Sequence, residues 1–199
     1  GHEAFSVVPE ERTSVYGAME DVQAVMNRVE LSSGVTSAAD TWVSGKIPYA
    51  FNYANMTVGG YSTAQPHGTH VAGIIAGNNG EDFFGVAPNA QLLIMKVFDE
   101  QGSTSDAALS AGLDDAVKLG ADSINMSLGS TAGFYYDRGN EDEVYNNCWD
   151  AGVNLLIAAG NEYTNAYMNQ YGNNLGQADT PDNAAVASPS TSYSALSVA

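Results

Sequence analysis

Gln91-Leu92-Leu93-Ile94-Met95-Lys96-Val97-Phe98 is nearly all apolar, as a strand buried on both faces of a sheet should be. A helix comes next, capped by Ser105 or Thr104, with Asp106 in its first turn and Gly120 just past Leu119 at its end. Ser123-Ile124-Asn125-Met126 then reads as a short strand, Glu141 to Ala151 as a second helix closed by Gly152, and Asn154-Leu155-Leu156-Ile157-Ala158 as the next buried strand. Ala195 to Ala199 reads as the start of another. Strands alternating with helices at this spacing imply crossover connections: a three-layer α/β fold with a mainly parallel sheet and helices on both faces. In such sheets the working residues lie at the carboxyl ends of strands and at the helix starts beyond them.

Upstream, Val15, Met19, Val22, Met26 and Val29 recur every three or four residues and predict an amphipathic helix. Residues 30–46, rich in Ser, Thr and Gly, read as a loop, and Ile47 to Ala54 as an aromatic-rich strand. A loop from Gly59 to Pro66 leads into a helix that begins at His67 and should stop near Gly77-Asn78-Asn79-Gly80. There is no internal repeat, and residues 160–190, rich in Asn, Tyr and Gly, read as a long surface loop.

With 199 residues the chain suffices for one well-packed domain or most of a larger one, and 44% apolar residues suit a globular protein. Six basic residues against 23 acidic ones give a net charge of −17. Such a surface repels phosphate backbones and anionic headgroups, so nucleic acid is a poor partner. It fits a secreted or cell-surface protein that must stay soluble. No run of about eighteen apolar residues exists to enter a membrane. Cys148, the single cysteine, reads as a small core residue beside Trp149. The chain opens Gly1-His2-Glu3 without Met and reads as an internal fragment.

Pro66-His67-Gly68-Thr69-His70-Val71-Ala72-Gly73 puts small residues directly before an apolar run and an imidazole where a helix begins. A base that serves a nucleophile needs a rigid mount and small neighbours that let a substrate backbone pass close by. In isolation His67 and His70 would read as two ordinary histidines or a metal pair. They are not isolated. Gly85-Val86-Ala87-Pro88, Ile124-Asn125-Met126-Ser127-Leu128-Gly129 and Ala158-Ala159-Gly160-Asn161 come after them in order. Each motif is weak alone; together they closely resemble the subtilisin-like serine proteases, the subtilases. Ala90-Gln91-Leu92-Leu93, Lys118-Leu119-Gly120-Ala121-Asp122 and Ser188-Pro189-Ser190 look most like the cell-envelope, lactocepin-type proteinases of Gram-positive bacteria. The resemblance runs from about Ile47 to Ala199, and residues 12–46 read as a family-specific insertion or a helix plus loop. Residues 1–199 are thus read as a single partial peptidase domain.

By resemblance His67 is the general base, taking the proton of a serine hydroxyl and returning it to the leaving amine. Asn161 matches the side-chain donor of the oxyanion hole, a neutral, fixed amide aimed at the oxygen that gains charge. Ser127, Leu128 and Gly129 match the segment whose backbone pairs with extended substrate, and Gly102 and Ser103, with Thr104, would flank it from the other side. Ala158 and Gly160 would line the primary specificity pocket, where their smallness leaves room for a bulky side chain. His70, one turn beyond His67, is expected to be structural and to pack beneath it. No metal ligand set and no cofactor is assigned. Asn78-Asn79-Gly80-Glu81-Asp82 is read as a solvated acidic turn, although relatives often hold structural calcium nearby. Asp114-Asp115 and Glu141-Asp142-Glu143 are expected on solvated helix faces.

The family's triad runs Asp, His, Ser along the chain. No apolar strand ending in Asp-Thr/Ser-Gly precedes His67; Asp40-Thr41-Trp42 lacks both the glycine and the apolar run. No Gly-Thr-Ser-Met-Ala stands downstream, and Val35-Thr36-Ser37-Ala38-Ala39 has Val for Gly and lies on the wrong side of His67. His2-Glu3-Ala4-Phe5 resembles the residues shortly after the Asp motif in these proteases, so the chain reads as starting just after the Asp and ending before the Ser. The resemblance therefore implies a secreted parent endopeptidase that acts on polypeptides by a Ser-His-Asp mechanism, while this chain, lacking nucleophile and Asp, is inactive alone. The fold is expected to be a partial subtilisin-like one without the central Asp-bearing strand. Its gap either closes by pairing of the Leu92–Phe98 and Ser123–Met126 strands or borrows a strand in a swapped homo-oligomer. The rival reading is a non-catalytic protein- or peptide-binding module that keeps the groove. A nucleotide-binding α/β protein is disfavoured, since no Gly-X-Gly-X-X-Gly stands after a strand.

Overall fold

The aromatic-rich segment at 47–54, more than the apolar run at 91–98, organises the first half of the chain. Its strand β1 (Tyr49–Asn52) turns back antiparallel onto the short β2 (Thr57–Val58) and pairs in parallel with β3 (Leu93–Lys96), Tyr49 opposite Leu93 and Asn52 opposite Lys96. A parallel pair needs a crossover, and α2 (His67–Ala76) lies within it. Tyr49, Phe51 and Tyr53 are buried and cluster with Tyr16, Val22, Met26, Leu31, Ala38, Ala108 and Leu119. Val22 and Met26 come from α1 (Met19–Met26) and Ala108 from α3 (Asp106–Lys118). The segment before Ile47, which matches the resemblance poorly, therefore supplies one wall of this core.

The computed structural model describes residues 2–9, 15–62, 64–130, 140–161 and 186–199. They fall into two units, Gly1–Ala121 and Asp122–Ala199. In the second, β4 (Ser123–Met126), β5 (Asn154–Ala158) and β6 (Leu196–Val198) are all parallel in the order β4-β5-β6, with α4 (Asn140–Asp150) leading into β5. Leu155, Ile157, Val153, Met126 and Cys148 are buried there, so Cys148 is the core residue its pattern predicts. The long loop read at 160–190 lies mostly outside the described residues.

Parallel strands alternating with helices bear out the predicted α/β class. Local chemistry explains the boundaries. The Ser105 hydroxyl accepts from the Ala108 amide at 3.2 Å and caps α3. Gly120 and Gly152 take positive φ, +74° and +77°, after their helices.

Two expectations change. The run at 91–98 predicts a strand buried on both faces, yet all four residues of β3 are only half-buried. The cause is its position in the sheet: among the described residues β3 ends the order β2-β1-β3 and has a neighbour on one side only.

Asp115 is the other correction. It is fully buried, not solvated. Residues 108, 112, 115, 116 and 119 form the inward stripe of α3, and Asp115 falls in it. Its carboxylate accepts from the amides of Ser32 (2.5 Å) and Ser33 (2.9 Å) and from the Tyr53 hydroxyl (2.7 Å). The Tyr49 hydroxyl lies 3.1 Å from that of Tyr53 and extends the network to Ser33. Burial first, then these neighbours, push the Tyr53 phenol upward, so it stays a donor. Asp114 does remain on the open face, 2.6 Å from the Lys118 ammonium. Asp115→Ala would orphan three donors, and we expect it to cost about 3 kcal/mol in urea unfolding, at roughly 1 kcal/mol or more per buried unpaired group. A loss below about 1 kcal/mol would show that the network carries no stability.

Candidate active site

His67 is the first residue of α2, entered through Pro66. Its side chain is exposed, and among the described residues nothing hydrogen-bonds its ring. Small residues let a backbone close over the far end of this helix. The Gly85 amide donates to the Gly77 carbonyl (2.8 Å), Val86 to Ile74 (2.9 Å) and Ala87 to Ile75 (2.7 Å). These are carbonyls that a helix end leaves without internal partners. A Cβ on Gly85 would sit 2.7 Å from the Gly73 carbonyl oxygen and 2.7 Å from the Gly77 nitrogen, so only glycine fits. Lys46 secures the next residues: its buried ammonium donates to the Pro88 and Ala90 carbonyls at 2.7 and 2.6 Å. The Gly85-Val86-Ala87-Pro88 motif is thus the brace of the helix that carries His67.

His70 is exposed and does not pack beneath His67; three residues on, it shares the open side of the helix. Asp40, the false match for a triad Asp, lies exposed in a 3-10 turn, Ala38–Asp40. The 78–82 turn uses its own oxygens. Asn79 Oδ1 accepts from the amides of Glu81, Asp82 and Phe83, and Asn78 Oδ1 from Gly80.

Gly102 and Ser103 occupy a tight exposed turn. Asp99 Oδ1 accepts from the Gln101 and Ser103 amides at 2.9 and 2.8 Å, and Gly102 has φ +79°. This turn stands against the residues that precede His67, since a Cβ on Gly102 would lie 3.5 Å from Gln65 Nε2. In the first unit, then, the turn and the start of α2 are brought together.

In the second unit Met126 is opposite Ile157, which puts Ser127 beside Ala158 at the carboxyl ends of adjacent parallel strands. Among the described residues the backbone groups of Ser127, Leu128 and Gly129 make no hydrogen bond, and the next residue, Ser130, pairs with Ser188 (2.8 and 3.0 Å). Gly129 passes so close to that partner that a Cβ would meet Ala187 Cβ and the Ser188 oxygen, each at 3.0 Å. Gly160 has φ +110° and turns the chain into Asn161, whose side chain is exposed. His67 and Asn161 belong to different units.

Residues 48–199 match the subtilase family. The chain belongs to that family. It is 40% identical over 174 residues to the PII-type proteinase of Lacticaseibacillus paracasei, covering 82% of this chain and 9% of the relative. It is 38% identical over 190 residues to the PIII-type proteinase of Lactococcus lactis subsp. cremoris, covering 90% of this chain and 10% of the relative. A C5a peptidase of Streptococcus pyogenes is 32% identical over 206 residues, covering all of this chain and 16% of the relative. The protease domain of PatA superposes with a TM-score of 0.53 at 28% identity, over 69% of this chain and 43% of that one. The subtilase segment here thus spans about a tenth of the length of the two proteinases.

The sequence did not point to the side chains that tie the Gly102 turn to the approach to His67. Glu100 Oε1 lies 3.3 Å from the Lys96 ammonium, and Glu100 Oε2 accepts from the Ser62 hydroxyl. Ser62 Oγ in turn accepts from the Gln65 amide at 3.0 Å. The only signal was Lys96 itself, a charge at the end of an apolar strand that needs a partner. The Ser62 hydrogen bond chiefly holds the Glu100 carboxyl below the usual range; desolvation opposes it, Lys96 adds to it, and the nearby Asp99 charge opposes it least. A depressed folded-state value makes this contribution present above the unfolded value and lost as pH falls through the lowered one. Amide exchange of residues 99–103 should therefore accelerate, relative to the intrinsic rate, below the ordinary glutamate range, and Glu100→Gln should remove that response. Identical profiles in the two proteins would contradict the assignment.

Proposed function

We propose that this chain supplies the general base, His67, and the oxyanion donor, Asn161, of a subtilisin-like serine endopeptidase, secreted or held at a Gram-positive type of cell surface. The reading is supported chiefly by the mounting of His67: exposed at the first position of a helix whose far end is held by the Gly85–Ala87 backbone. An extended polypeptide would add as a strand beside Ser127, Leu128 and Gly129, whose backbone groups make no hydrogen bond among the described residues, with Gly102 and Ser103 on its other side and a side chain between Ala158 and Gly160. His67 would take the proton of the serine hydroxyl as it attacks, and return it to the leaving amine. The Asn161 amide would donate to the carbonyl oxygen as it becomes an oxyanion.

By itself the chain is catalytically incomplete on this reading. Its sequence has no Asp-Thr/Ser-Gly segment to orient the imidazole and no Gly-Thr-Ser-Met-Ala to carry the nucleophile. The open edges of β3 and β4 favour association of copies by strand addition. The open backbone at Ser127–Gly129 equally favours a second reading, a module that binds extended peptide without cleaving it.

Two assays separate these readings. The 199-residue chain should cleave no peptide in a phenylmethylsulfonyl-fluoride-sensitive way. Placed in the PII-type proteinase instead of the segment it matches, it should give an active enzyme. His67→Ala should then lower kcat by on the order of 10⁶, and Asn161→Ala by ~10²–10³, the range set by this family's oxyanion donor. An inactive chimera that still binds peptide would favour the binding module, and an active His67→Ala chimera would end the peptidase reading.

A further inference from the structure

The Glu100 contacts form a strap between two elements that the proposed function uses separately. One end is the turn after β3, held internally by Asp99 and by the Thr104 hydroxyl donating to the Val97 carbonyl at 2.7 Å. The other is Ser62 together with Ala64, Gln65 and Pro66, the last of which directly precedes His67. Glu100 spans them with both carboxylate oxygens engaged, one toward Lys96 at the end of β3 and one toward the Ser62 hydroxyl. Ser62 is buried although its neighbours Tyr61, Ala64, Gln65 and Pro66 are exposed, so its hydroxyl is held where Glu100 meets it. Gln65 adds a second tie, its amide to Ser62 and its Nε2 to the Glu100 carbonyl at 3.4 Å.

We propose that Glu100 is a positioning residue for peptide recognition: with Lys96 and Ser62 it fixes the distance between the Gly102–Ser103 turn and the start of the His67 helix. This rests on the peptidase reading of His67 and of the turn. Glu100 does not touch the reacting atoms. It sets how a substrate that lies along the turn is presented to the base. A displacement of about 1 Å between a positioning element and the chemistry is enough to lower turnover on the order of a hundredfold. Substrate long enough to contact the turn depends on the strap, and substrate too short to reach it does not. That dependence on length separates positioning from a general structural role, which would affect both.

The chimeric PII-type proteinase provides the test, with an octapeptide amide and an N-acetyl dipeptide p-nitroanilide as probes. Glu100→Ala and Ser62→Ala are expected to lower kcat/KM for the octapeptide about tenfold and to leave the dipeptide within about twofold. Ser62→Thr, which keeps the hydroxyl, is expected to restore the octapeptide. Equal losses on both probes, or no loss on either, would overturn the assignment. In the 199-residue chain the same two alanine variants are expected to speed amide exchange of residues 62–66 and 99–103 together. Faster exchange in the substituted segment alone would also overturn it. An active site that fails altogether in the unsubstituted chimera contradicts the peptidase reading, while the exchange experiment still decides whether the strap exists.

Discussion

Everything proposed for His67 depends on how closely the Gly85 backbone lies on the end of α2. Three amide-to-carbonyl hydrogen bonds join Gly85, Val86 and Ala87 to Gly77, Ile74 and Ile75, and a single added methyl at Gly85 would collide with the helix backbone. A helix of ten residues, beginning at a histidine and lacking a side-chain cap at its start, has little intrinsic reason to hold its place. The brace at its far end supplies that reason. It is a backbone device, so it demands a small residue at one position and leaves His67 and His70 exposed on the helix.

The lysines show how a chain of net charge −17 uses its few cations. Lys46 donates to the Pro88 and Ala90 carbonyls behind the brace, and Lys96 meets Glu100 at the base of the strap. Lys118 pairs with Asp114 and donates to the Glu30 carbonyl at 2.6 Å. All three fasten one segment of the first unit to another, and none is left to recruit anions. Burial lowers the Lys46 pKa, and its ammonium keeps charge-assisted hydrogen bonds to two carbonyls in return. The remaining charge is correspondingly acidic, which disfavours nucleic acid and anionic membranes as partners.

Secondary structure was legible where local chemistry is self-sufficient. The Ser105 cap, the glycines after α3 and α4, and the apolar periods of β5 and α1 each carry their own signal. The motifs around His67, Ser127 and Asn161 were legible as a family pattern, and the match over residues 48–199 agrees with it. What escaped depends on neighbours distant in sequence. Apolar β3 looks doubly buried until its place at a sheet edge is known. Asp115 looks solvated because the Ser32 and Ser33 amides that neutralise it lie some eighty residues away. The Ser62–Glu100 contact had no signature beyond the charge of Lys96 at the end of β3, since a serine in a loop and a glutamate in a turn are ordinary surface residues until the fold brings them together. Even so, the inward stripe of α3 already contained Asp115, and a reading of that stripe would have found it.

The proposed peptidase reading stands on one claim, that the imidazole at the start of α2 handles the proton. The chain has three histidines, and His70 is exposed on the same helix one turn away, so the claim can fail cleanly. Treating the chimeric proteinase with a peptidyl chloromethyl ketone and mapping the alkylated residue by mass spectrometry decides the matter. The ring of His67 is expected to carry the adduct while His2 and His70 stay unmodified. Alkylation at His70, with His67 untouched, would contradict the claim.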